Sequence, residues 1–117
     1  MLPYKLQKHN RNLMSKSLVQ LEARIERIKR ELMALGSMRP GSLSLQYRDP
    51  ETKKRPFHQA SYTHKGRGRS EYVRPENLAQ IRRETANFKR FRKLAEQWVD
   101  LSLEASQLRV KKGGIKT

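Results

Sequence analysis

The sequence predicts a mostly helical α+β chain. A long N-terminal helix, a central basic β-hairpin and a long C-terminal helix follow one another, and the helices pair as a coiled-coil-like hairpin or as a dimer. Three observations carry that expectation. Apolar residues recur in alternating steps of four and three from Met14 to Leu35, the heptad spacing of a helical seam. In mid-chain, "YTHKGRGRSEYV" (Tyr62–Val73) places two glycines and several cations between strand-compatible stretches. Beyond Pro75 a second helical period runs to about Leu108.

The elements follow in chain order. Residues 1–12 carry Lys5, Lys8 and Arg11 without an acid and read as a basic arm. Residues 13–108 read as one helix–hairpin–helix domain. Its first helix presents Leu18, Leu21, Ile25, Ile28 and Leu32 as the seam, with Glu26–Arg30 and Arg27–Glu31 as supporting pairs four residues apart. Gly36 is the expected stop, and Pro40 blocks continuation.

Residues 36–56, punctuated by Gly36, Pro40, Gly41, Pro50 and Pro56, read as ordered loop or short extended pieces, with a short strand at Leu43–Tyr47. Phe57–Thr63 and Arg69–Val73 then form the hairpin arms. A flexible Arg-Gly loop is the alternative, and the hairpin is favoured because Tyr62 and Tyr72 flank the turn almost symmetrically. Pro75 and Glu76 open the second helix. One of its faces carries Phe88, Phe91, Ala95, Trp98, Ser102 and Ala105, and the other carries Arg82, Arg83, Lys89, Arg90 and Lys93. Residues 109–117 read as a basic, flexible tail. The seam has two readings: it packs on the Phe88/Phe91/Trp98 stripe, or it receives a second copy or another protein.

Charge points to function. Of 117 residues, 27 are Lys or Arg and 11 Asp or Glu, for a net charge of +16. Such self-repulsion is best tolerated beside a polyanion, so nucleic acid is the expected partner. Residues 53–93 hold thirteen Lys and Arg against three acids. The candidate contact residues there are Lys53, Lys54, Arg55, Lys65, Arg67, Arg69, Arg74, Arg82, Arg83, Lys89, Arg90 and Lys93. Tyr62, together with Tyr72 and His64, offers a ring for stacking on unpaired bases, unless the tyrosines only brace the hairpin. RNA and DNA both remain open, with a lean towards RNA.

The chain has no cysteine, which excludes disulfides and Cys-based zinc sites. Its three histidines, His9, His58 and His64, are scattered without acidic partners, so no metal or cofactor is expected. No phosphate-binding loop, nucleophile elbow or HExxH motif occurs, and an enzyme is not expected. Without a signal-like or membrane-length apolar run, the expected setting is cytoplasmic, with no membrane partner.

Several stretches resemble a family of small, uncharacterised bacterial proteins often found beside transposase and other mobile-element genes. They are "GSLSLQY" (Gly41–Tyr47), S-Y-T-x-x-G from Ser61, Y-V-R-P-E-N from Tyr72 and N-F-K-R-F-R from Asn87. The similarity spans about residues 41–108. Many members of that family place a cysteine cluster where this chain has "RDPETKKRP", so no metal role carries over. The resemblance implies a bacterial mobile-element or defence setting. The expected function is thus a non-catalytic nucleic-acid-binding accessory protein within a larger nucleoprotein complex. The alternative is a helical adaptor, or an antitoxin-like protein, whose seam or basic surface meets an acidic protein partner.

Overall fold

The computed structural model describes residues 3–112, with side chains from 17 to 111. Its elements are α1 (Pro3–Met33), β1 (Ser42–Asp49), β2 (Lys54–His64), β3 (Arg67–Val73), a 3-10 turn (Pro75–Asn77) and α2 (Leu78–Lys112). They divide into two compact units, residues 35–92 and residues 1–34 with 93–117. α1 starts at Pro3, so the basic segment expected as an arm is continuous with that helix from there. Residues 113–117 of the expected tail lie outside the described residues.

The unit of residues 35–92 is built on a three-stranded antiparallel sheet in the order β1-β2-β3. This corrects the expected hairpin: the short strand expected at Leu43–Tyr47 is β1, which runs from Ser42 to Asp49 and adds a third strand to the sheet. It pairs with β2 from Ser42↔Ser61 to Asp49↔Lys54, over a segment whose prolines and glycines signal loop. The signal misleads because of where Pro56 sits. β3 pairs with β2 only from His58 onward, so at Pro56 the central strand has a neighbour on one side alone. A proline without an amide hydrogen is tolerated on such an edge.

Strand alternation sorts the sheet into two faces. Leu43, Ala60 and Glu71 are in register on one face, as are Leu45, His58 and Val73. Ala60 and Val73 are buried there with Ile81 of α2, and Leu43 and Leu78 pack against them. Burial of a Val or Ile side chain contributes about 1.5–3 kcal/mol, so this small cluster anchors the sheet to the start of α2. Pro75 and an extended Arg74 (φ −66°, ψ 143°) lead into the helix, as the sequence predicts. Residues 35–40 are tied to the same helix. The Arg39 amide donates to the Glu84 carbonyl at 3.0 Å, and the Asn87 side-chain amide donates to the Ser37 carbonyl at 2.8 Å.

The second unit holds α1 and the distal half of α2. Leu21, Ile25 and Ile28 are buried with Leu94, Leu101 and Ala105. Arg109 Nη2 donates to Glu22 Oε2 at 3.1 Å, and Lys29 Nζ lies 5.3 Å from the Trp98 ring centroid. Glu26 takes Lys29 at 3.0 Å, where Arg30 was expected.

The expected coiled-coil-like hairpin or dimer is overturned. Among the described seam residues burial is complete only at those three positions, while Leu18, Leu32 and Leu35 are half-buried. Among the described residues, extensive close backbone pairing between elements is that of β1 with β2 and of β2 with β3. On α2, Phe91 is exposed and Trp98 half-buried. Its buried residues, Ile81 and Thr85 in one unit and Leu94, Leu101 and Ala105 in the other, do not share one 3.6-residue stripe. The single apolar face expected at Phe88, Phe91, Ala95 and Trp98 is an average of two faces. Gly36 is not the helix stop either: α1 ends at Met33 with the Ala34 amide donating to the Arg30 and Glu31 carbonyls, and Gly36 lacks the positive φ of such a cap.

Candidate functional site

The tip of the β2–β3 hairpin is set by its turn. Register pairs His64 with Arg67, leaving Lys65 and Gly66 as a two-residue loop. Both have positive φ, +52° and +78°, the backbone of a type I′ turn, whose twist matches that of paired strands. The sequence signal "HKGR" thus produces a structured finger, not a flexible loop. A Cβ added to Gly66 would meet nothing within 4 Å, so the tip is open on that side.

Alternation then places Arg67 and Arg69 beside Tyr62 and His64, since Tyr62 pairs with Arg69 and His64 with Arg67. Together with Lys65 these residues line one groove. Lys65, Arg67 and Arg69 are exposed and make no ion pair among the described residues. No carboxylate lines the groove. Glu71, two residues along the same strand face, is held by Arg39 in an ion pair. The Arg39 guanidinium also lies over Tyr62, 5.8 Å from its ring centroid. Tyr62 is therefore half-buried with one ring face occupied, while the three cations beside it have no carboxylate in their groove.

The remaining candidates fall elsewhere. Lys53, Lys54 and Arg55 lie at the opposite end of β2, about 30 Å from the tip at the rise of an extended strand. Arg55 has a local partner, donating from Nε and Nη2 to Asp49 Oδ2 and Oδ1 at 3.1 and 2.9 Å. Lys53 and Arg55 both adopt positive φ, +53° and +54°, conformations that cost about 1–3 kcal/mol each for non-glycine residues. Arg74 follows β3 as the residue before the 3-10 turn. On α2, Arg82, Lys89 and Lys93 fall on one stripe, flanked by Arg83 and Arg90, and all five are exposed. The structure thus gathers Lys65, Arg67 and Arg69 with Tyr62, gathers the α2 cations in a second tract, and sets the Lys53–Arg55 run apart from the tip.

Three residues were missed by sequence reasoning. Arg39, in the segment read as loop, neutralises Glu71. Arg48 lies over Phe57, its guanidinium carbon 4.9 Å from the ring centroid. Phe57 in turn lies 6.2 Å, centroid to centroid, from Tyr72. The period-two pattern of β1 and β2 would have put Arg48 opposite Arg55, next to Phe57, had the pairing of the two strands been recognised. The seam residues Leu21, Ile25 and Ile28 are buried within the single chain.

Among the described residues, no cluster of three or more His, Asp or Glu side chains could hold a metal. No helix among them is long and apolar enough to cross a membrane. No curated protein and no solved structure matches the chain. A family model, that of the domain of unknown function DUF6788, matches residues 18–83. The match takes in the distal half of α1, the whole sheet and the start of α2. It reaches further towards the N-terminus than the resemblance read from Gly41 and stops short of Asn87–Arg92. Covering more than half of the chain and its entire sheet, it makes this protein a member of the DUF6788 family.

Proposed function

We propose that this protein is a non-catalytic nucleic-acid-binding accessory subunit. The observation that carries the reading is the β2–β3 tip, where Lys65, Arg67 and Arg69 protrude from a type I′ turn with no carboxylate in their groove. An Arg fork on a rigid finger suits phosphate oxygens, and the exposed α2 cations Arg82, Arg83, Lys89, Arg90 and Lys93 would add further phosphate contacts. Either RNA or DNA satisfies this backbone chemistry. A bacterial cytoplasmic nucleoprotein complex of a mobile element or defence system is the proposed setting, resting on the sequence resemblance alone. The adaptor reading is the weaker one, because Leu21, Ile25 and Ile28 are already buried without a partner.

Titration of a labelled oligonucleotide at several salt concentrations tests the proposal. Replacing Lys65, Arg67 and Arg69 together by Ala should weaken binding and reduce the slope of log K against log salt by about 2–3, one unit or slightly less per lost phosphate contact. An unchanged affinity and slope would refute the assignment of the tip.

A further inference from the structure

The sheet face opposite the Ala60–Val73–Ile81 cluster has a different chemistry from the hairpin tip. In register across it run Ser42, Ser61 and Ser70, then Ser44, Gln59 and Tyr72, then Gln46 and Phe57. Arg48 continues this face beyond Gln46 with its guanidinium over Phe57. No Asp or Glu occurs at any of these positions. Tyr72 is 54% exposed, an unusual solvent exposure for a strand aromatic whose ring neighbour, Phe57, is only half-buried.

We propose that this face is a stacking platform for unpaired bases of single-stranded RNA. The inference rests on the nucleic-acid reading above and deepens it by naming the ligand class and the second surface that holds it. Three flat groups are contiguous: the exposed Arg48 guanidinium covers one face of Phe57, 4.9 Å from its centroid, and Tyr72, the exposed ring, lies 6.2 Å from Phe57 at a tilt of 40°. Successive bases stack on aromatic rings and guanidinium planes, and do so with little regard to base identity. A duplex keeps its bases inside and offers this row nothing to stack on.

The groups around the rings argue for RNA. Ser61 and Ser70 hydroxyls lie 3.0 Å apart, and Gln46 Nε2 donates to Ser44 Oγ at 3.0 Å. Hydroxyls and amides both donate and accept, which matches a ribose 2′-hydroxyl, the group that distinguishes RNA from DNA. Charge complementarity favours a polyanion over a protein here, since the face carries Arg48 and no carboxylate on a chain of net +16.

The test uses the full chain and fluorescence anisotropy with three labelled probes: a 12-nucleotide unstructured RNA, the DNA of the same sequence, and the RNA annealed to its complement. The wild type should bind the single-stranded RNA most tightly. Tyr72→Ala should weaken that binding on the order of tenfold, the usual effect of deleting one stacking ring, while Tyr72→Phe retains it. Because Tyr72 is half exposed, neither change should unfold the protein, which circular dichroism checks. Equal binding of DNA overturns the assignment to RNA, and preference for the duplex overturns the platform. If the wild type binds with a steep salt slope but Tyr72→Ala is unchanged, the platform alone fails. If the wild type binds none of the probes, the nucleic-acid reading fails with it.

Discussion

Replacing Gly41 by Ala should destabilise the sheet far more than the same change at Gly66, although both glycines have positive φ, +98° and +78°. A left-handed backbone costs an L-residue about 1–2 kcal/mol wherever it occurs. At Gly66 that is the whole cost, because nothing lies within 4 Å of the added Cβ. At Gly41 the Cβ would fall 1.9 Å from the Ser61 carbonyl oxygen and 2.7 Å from Tyr62 Cβ. Neither neighbour is a flexible side-chain end, so β1 must move off β2 where Ser42 pairs with Ser61. Losing one or two ladder hydrogen bonds adds about 1 kcal/mol each. Gly41→Ala should therefore cost about 3–4 kcal/mol in all, and Gly66→Ala about 1–2 kcal/mol. Urea unfolding followed by circular dichroism measures both. Equal costs for the two variants would refute the close approach of β1 to β2 at Ser61.

Two further outcomes follow from burial and charge. Leu94, 1% exposed, should lose about 2–5 kcal/mol on replacement by Ala, read as a lowered urea midpoint with unchanged m; a loss below 1 kcal/mol would mean that the site is not a packed core. Raising NaCl from 0.05 to 0.5 M should raise the thermal midpoint by several degrees, on the order of 1 kcal/mol, because screening relieves repulsion among unpaired cations; a flat or falling midpoint would mean the repulsion is not felt in the folded state.

The sequence was most readable where one physical rule acted alone. The hairpin turn was set by Gly66 and strand-compatible flanks, and the approach to α2 by Pro75, which opens a 3-10 turn three residues ahead of the helix itself at Leu78, so both elements were legible. The short strand at Leu43–Tyr47 was legible, but its pairing with the proline-containing start of β2 was hidden, because Pro50 and Pro56 carry the same local signal in a loop and at the one-sided end of a central strand. Only the register with β3, a long-range fact, separates those cases. The α2 core was hidden for another reason. A helix that serves two compact units buries Ile81 and Thr85 in one and Leu94, Leu101 and Ala105 in the other. A single period fitted through both sets selects Phe91, which is exposed. Thr85 shows how little polarity itself reveals: it is buried because its hydroxyl donates back to the Ile81 and Arg82 carbonyls at 3.0 and 3.1 Å, a bond available to any helical threonine.

Counting charges treats every cation alike, whereas the sheet sorts them by where the carboxylates stand. Asp49 takes both sides of the Arg55 fork, and Glu71 takes Arg39, which in turn covers Tyr62. Those two arginines serve the fold: one secures a strand end strained by positive φ at Lys53 and Arg55, the other fixes the ring at the base of the groove. Lys65, Arg67 and Arg69 receive no such partner. The carboxylate nearest to them along β3 is the one Arg39 holds. Placing Glu71 under Arg39 thus does two things, bracing Tyr62 and keeping the Glu71 carboxylate out of the groove that Lys65, Arg67 and Arg69 line.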